Sequence, residues 1–215
     1  MDSDSGNGQD EGLGIMRVKQ VKNKALVGKR RSQIMTAALD LFLEKGYHAT
    51  TIRDIARRSG VNQGSLYDYV QNKEDILRIL LEKMHQPRDE FPTDKVAFLK
   101  RFSSLKEYLT QQFKYSWTEN RRGILLIYRI TKSLKKEELK KLLGKDSALV
   151  DQITARIGMF MDVKDDDKRV EIIANIIHFL NAFLPLRDWN LKEYEFDTIL
   201  EVVVEMILKI LGVNE

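Results

Sequence analysis

The sequence predicts an all-α protein, with a small helix-turn-helix head carried on a larger helical body. Two observations predict it. Turn punctuation is scarce, with only three prolines in 215 residues, whereas a β-rich chain turns roughly every 8–12 residues. Apolar residues instead recur at spacings of three and four over long stretches, the period that lines one face of an α-helix. With 43% hydrophobic residues the chain can bury a sizeable core, which argues against disorder throughout.

Residues 1–14 carry four acids and no base, and residues 15–31, IMRVKQVKNKALVGKRR, are basic with weak apolar content. Residues 1–31 therefore read as a disordered, then basic, extension. From Ser32 the helical period begins, with Ile34, Ala37, Ala38, Leu41 and Phe42 on one face. Gly46 ends that helix, since glycine tolerates the left-handed conformation just past a helix terminus. Thr51 opens a second helix, with Asp54 beside its free N–H groups. Ile55 and Ala56 point inward, and Ser59-Gly60 close the helix after about two turns. Asn62 caps a third short helix expected to reach Tyr69. Asn72 caps a fourth, with Glu74 and Asp75 in its first turn, that runs through Ile76, Leu77, Leu80 and Met84 to a break at Pro87. The head is expected over 32–86 and the body over 87–215.

In the body the helical period is expected over Ala97–Tyr115, Arg121–Ser133, Leu139–Leu143 and Ala148–Met161. An acidic turn follows at Asp165–Lys168, and then two strongly apolar helices at Val170–Leu186 and Glu193–Leu211.

Composition excludes several function classes. There is no cysteine, so disulfides, thiol catalysis and Cys-ligated metal are ruled out. The first residues lack the basic-then-apolar order of a signal peptide, and no apolar run reaches the ~18 residues that span a bilayer. A soluble cytoplasmic protein without membrane partners is expected. The three histidines, His48, His85 and His178, stand apart, in none of the pairings that bind metal. The run Asp165-Asp166-Asp167 is that of a solvated helix start. No glycine-rich phosphate loop occurs. Neither an enzyme nor a resident cofactor or metal is expected.

The charge points elsewhere. Residues 15–86 hold 14 Lys and Arg against 7 Asp and Glu, while 87–215 hold 22 against 21. The basic excess thus sits in the head, which suits a polyanion. Within it, the stretch GVNQGSLYDYVQNK buries Val61, Leu66 and Val70 and turns out Gln63, Gly64, Ser65, Tyr67 and Tyr69. A merely solvated face would carry Glu and Lys. Small, uncharged hydrogen-bonding groups instead suit base edges and phosphates in a DNA major groove, on the second helix of a helix-turn-helix. The basic segment Arg17–Arg31 either follows the minor groove as an arm or is solvated chain.

Residues 32–84, containing IMTAALDLFLEKGYHATTIRDIARRSGVNQGSLYDYVQNKEDIL, resemble the TetR family of bacterial transcriptional regulators. Thr, Ile-Ala, Gly-Val, Leu-Tyr and Lys-Glu fall in the family's order, with Val70 where phenylalanine is commoner. The resemblance implies contacts to operator DNA from Thr51, Arg53, Gln63, Gly64, Ser65, Tyr67, Tyr69 and Lys73. Tyr67 and Lys73 would clamp the backbone, and Gln63, Gly64 and Ser65 would read sequence. It also implies a ligand-binding and dimerisation body, a homodimer through the last two helices, and repression as the usual mode.

Aromatic residues cluster in the body, as an apolar effector cavity needs. Phe113, Trp117, Tyr128 and Phe179 are candidate walls, and Arg121, Arg122, Arg129 and His178 candidate anchors. The stretch ILLIYRITKSLKKEELKKLL resembles TetR regulators of fatty-acid catabolism, which implies a fatty acyl-CoA or another apolar effector. The alternatives are a regulator with a non-acyl effector, or one with no small-molecule effector.

Overall fold

The computed structural model describes residues 9–85, 91–161 and 168–213, with side chains from residue 25 onward. Among them every regular element is helical, and no single helix is long and apolar enough to cross a membrane. The run Asp165–Asp167 lies outside the described residues. The chain divides into two compact units between Arg78 and Ile79, inside the fourth helix; the break expected at Pro87 lies outside the described residues.

In the first unit, α1 (Gln9–Lys45) begins well before the expected start at Ser32. Residues 15–31 contain no proline and seven Lys and Arg, which favour a helix, so propensity carries the helix back without an apolar face. Ile34, Ala38, Leu41 and Phe42 are buried as expected. α1 ends at Gly46, with φ 89°, a conformation that disfavours any residue with a Cβ. Thr51 caps α2 (Ile52–Ser59) in a capping box with Asp54. Gly60, at φ 67°, closes it by donating to the Ala56 and Arg57 carbonyls, the glycine-terminated end that satisfies orphan acceptors.

α3 (Gln63–Leu66) is shorter than expected. Asn62 Oδ1 accepts from the Gly64 N–H at 2.8 Å. Beyond Leu66 the bonds tighten to three-residue spacing, Tyr67 to Gly64, Asp68 to Ser65 and Tyr69 to Leu66. α4 (Lys73–Met84) starts where Asn72 Oδ1 accepts from the Asp75 N–H at 2.7 Å.

The second unit holds α5 (Lys95–Arg101), α6 (Leu105–Trp117), α7 (Arg121–Ile130), α8 (Lys136–Phe160), α9 (Lys168–Leu180), α10 (Phe183–Leu191) and α11 (Phe196–Leu211), with a 3-10 turn at Thr131–Ser133. Its core joins Phe98, Tyr108, Phe113, Ile157, Ile177 and Ile207. Three expectations are corrected. The span Ala97–Tyr115 breaks at Phe102–Ser104, where Ser104 caps α6 by accepting from the Glu107 N–H at 3.1 Å. Leu139–Leu143 and Ala148–Met161 are one helix, α8, running through Gly144. Val170–Leu186 is two helices, bent by 52° at Asn181–Ala182. Pro185 explains that bend: placed third in α10, its missing N–H falls in a first turn, where it costs no hydrogen bond.

Candidate nucleic-acid interface and effector cavity

The head's polar face is built by two caps. Thr51 and Asn62 fix the starts of α2 and α3, and the buried side chains Ile55, Val61, Leu66 and Val70 hold them to the unit's interior. That leaves Thr51, Arg53, Gln63, Gly64, Ser65 and Tyr67 exposed and Tyr69 half-buried. Tyr67, 52% exposed, is a large aromatic ring left in solvent. Gly64 has no fold-based reason to be glycine. A Cβ there would make only an ordinary contact, 3.4 Å from Asn62 Oδ1, and its backbone is helical. A residue that pays helix entropy and gains nothing within the unit suits close approach from outside.

Two expected contacts have partners inside the head. The Thr51 hydroxyl accepts from the Asp54 N–H at 3.2 Å and donates to Asp54 Oδ2 at 2.7 Å. Lys73 is the larger departure. Its ammonium donates to the carbonyls of Tyr47 and Thr50, 2.9 Å each, and to that of His48 at 3.4 Å. Three donors meet three acceptors, so Lys73 ties the start of α4 to the turn after α1. It is not a free phosphate clamp. Asp54 gathers Lys45 at 2.6 Å and Arg57 at 2.9 Å as well as Thr51. The hydrogen bond from Lys45, then those from Thr51, hold its carboxyl far below the usual aspartate range.

The second unit contains a cavity of about 470 Å³ walled by the end of α4, by α6, α7 and α8, and by α9 with its bend. This volume is within the range that holds a small ligand. Of the expected residues, Tyr128, His178 and Phe179 line it. The others do not. Phe113 and Trp117 are core, 0% and 2% exposed, and the Trp117 indole N–H donates to the Leu180 carbonyl at 3.0 Å. Arg121 is paired with Asp188. Arg122 and Arg129 lie on exposed positions of α7 away from the lining. Helical spacing places residues on a face but does not say whether that face meets a neighbour or a void.

Sequence reasoning missed the polar residues that line the cavity. On α6, Gln112 and Ser116 stand four apart and meet Asn181 at the bend: its Oδ1 accepts from Ser116 Oγ at 2.7 Å and from Gln112 Nε2 at 3.2 Å. On α8, Asp146 Oδ1 lies 2.7 Å from His178 Nε2, and this bond holds the Asp146 carboxyl below its ordinary range. Burial, aided by the Asp146 charge, raises the Tyr128 phenol. The available signal was polar residues at core-facing helical positions. Among the described residues no group of three or more Asp, Glu or His side chains gathers where a metal ion could sit.

The model of the bacterial regulatory proteins of the tetR family matches residues 34–80, the span that carries the capped helices. HTH-type transcriptional regulator HbdR of Aromatoleum sp. (strain CIB) is 33% identical over 132 residues, 59% of this chain and 54% of that protein. The fatty acid metabolism regulator protein of Bacillus subtilis (strain 168) is 47% identical over 55 residues, 25% of this chain and 28% of the relative. The matches thus span about half, or little more than a quarter, of the relatives' lengths. Solved structures share the helical fold over most of the chain. A tetR-family regulatory protein from Rhodococcus RHA1 superposes with a TM-score of 0.64 at 21% identity, covering 86% of this chain and 98% of its own. FadR from Bacillus subtilis in complex with stearoyl-CoA does so with a TM-score of 0.59 at 22% identity, over 82% and 96%. At these identities the likeness is one of fold. The capped helices at residues 34–80 thus match the model of the tetR family of bacterial regulatory proteins, and the fold around them is one that tetR-family structures share.

Proposed function

We propose that this protein is a DNA-binding transcriptional regulator, a repressor that holds its operator as a homodimer and is released by an apolar small molecule in the body. The observation that carries the reading is the α3 face: Gln63, Gly64, Ser65 and Tyr67 turned to solvent around a glycine the fold does not require. Gln63 and Ser65 are donors and acceptors for base edges. Tyr67, Tyr69, Arg53 and Thr51 surround them as backbone contacts, and Lys73 acts at one remove by holding the turn before α2.

The second copy has a surface to meet. α9 exposes Ile172, Ile176 and Phe179 at spacings of four and three, and α11 exposes Val202, Met206 and Ile210 at spacings of four. Apolar stripes of this kind on helices already packed on their other side suit a partner. We assign the homodimer contact to these helices. The effector reading rests on the cavity and on the names of relatives, which include a fatty acid metabolism regulator and a regulator bound to stearoyl-CoA. We propose an acyl-chain effector, such as a fatty acyl-CoA. It lowers operator affinity by its preference for a dimer that does not match the operator.

Selection from randomised duplexes tests the reading. Recovery of one palindrome, released by palmitoyl-CoA, is the expected result. Recovery of no shared sequence contradicts the DNA-binding claim, and a palindrome indifferent to every acyl compound contradicts the effector alone.

A further inference from the structure

The cavity's lining follows one face of α8. Leu142, Asp146, Leu149, Ile153 and Arg156, spaced three or four apart on that face, all line the cavity. At about 1.5 Å per residue the lined face extends for roughly 20 Å. Its two ends are chemically opposite. At one, the Asp146 carboxylate lies 2.7 Å from His178 Nε2, and Tyr128, Leu143 and Phe179 remain 44%, 56% and 61% exposed. At the other stands Arg156, roughly 15 Å further along the helix.

Arg156 is the one arginine or lysine among the lining residues. Its Nη2 donates to the Phe91 carbonyl at 3.0 Å, and its guanidinium carbon lies 5.7 Å from the ring centres of Phe91 and Phe98 and 5.9 Å from that of Tyr108. Among the described residues no carboxylate pairs with it. Beside it the Tyr108 hydroxyl is buried with no hydrogen-bond partner. A half-buried guanidinium that no described carboxylate neutralises, with the buried Tyr108 phenol as its polar neighbour, is stabilised by an anionic acceptor arriving from outside.

Resting on the effector reading above, we infer that Arg156 anchors an anionic oxygen group of a chain-shaped effector, whose apolar remainder lies along α8 toward Leu143 and Phe179. Arginine presents several N–H donors in a fork that suits a carboxylate or phosphate oxygen pair, and only part of that fork is used by Phe91. The opposite orientation would set the anion against Asp146. The anion is either the carboxylate of a free long-chain acid or a phosphate of its CoA thioester.

Calorimetric titration of the full chain with hexadecanoate, palmitoyl-CoA and hexadecanol separates these cases. Hexadecanoate or palmitoyl-CoA is expected to bind at least about tenfold more tightly than hexadecanol, the scale of one charge-assisted pair. Arg156→Gln should abolish that preference while hexadecanol still binds, and Arg156→Lys should keep part of it. Preference for hexadecanoate assigns the carboxylate; preference for palmitoyl-CoA alone assigns the phosphate. Equal binding of acid, thioester and alcohol by the natural chain, or a preference that survives Arg156→Gln, overturns the anchor and leaves the acyl effector standing. Binding of none of the three overturns both.

Discussion

The Lys73 ammonium lies 4.5 Å above the centre of the Tyr47 ring while donating to that residue's own carbonyl at 2.9 Å. One side chain thus closes the turn that leads from α1 into α2. Lys73→Met would leave the Tyr47 and Thr50 carbonyls without their charged donor, at about 1.5–3 kcal/mol. Amide exchange over residues 50–66 of the full chain should accelerate by about tenfold or more in the variant. Unchanged exchange would mean that the tie contributes nothing.

Gly64→Ala separates fold from function. The new methyl meets nothing closer than 3.4 Å, and alanine favours a helix over glycine by up to about 1 kcal/mol. The melting temperature should hold or rise slightly, while affinity for the selected duplex falls about tenfold or more. Equal affinity would remove the close approach from the account.

Asp54 makes the head's stability depend on pH. Its carboxyl is held well below the usual aspartate pKa of about 3.9 by Lys45 and Thr51. A depressed carboxyl contributes stability that is complete above the unfolded value and is lost as pH falls toward the folded one. Exchange protection of α2 should therefore be level from about pH 7 to pH 5 and fall below about pH 4. In Asp54→Asn it should be lower throughout, with a shallower acid limb. An identical acid limb in the variant would place the pH dependence elsewhere.

Met206→Glu tests the dimer. Charge placed in the α11 stripe, between Val202 and Ile210, should convert the protein to a monomer by analytical ultracentrifugation. It should also cost most of the operator affinity, because two half-sites are then bound separately. A variant that stays dimeric would move the interface off α11.

How much was legible in the sequence follows from where each signal lies. The head is read from local signals, namely the caps Thr51, Asn62 and Asn72 and the left-handed glycines Gly46 and Gly60, so its elements came out in order. The α1 start was missed because periodicity marks buried faces, and residues 15–31 are helical by propensity alone. In the body, the Ser104-to-Glu107 cap and Pro185 were local signals available to mark the α6 start and the α9–α10 bend. The cavity was less legible, since Arg156, Asn181 and Phe113 differ only in what neighbouring helices bring opposite them. Trp117 and Phe179 are both apolar aromatics, yet one fills the core and the other edges a void.

Whether α3 presents a DNA-reading face is decided by a fluorescence-anisotropy titration of the selected palindromic duplex across a series of salt concentrations. Expected are tight binding by the dimer, a steep loss of affinity as salt rises, in keeping with several phosphate contacts, and loss of preference over a scrambled duplex in Gln63→Ala. Binding that ignores both salt and sequence would contradict a DNA-reading role, and the exposed polar face of α3 would then need another partner.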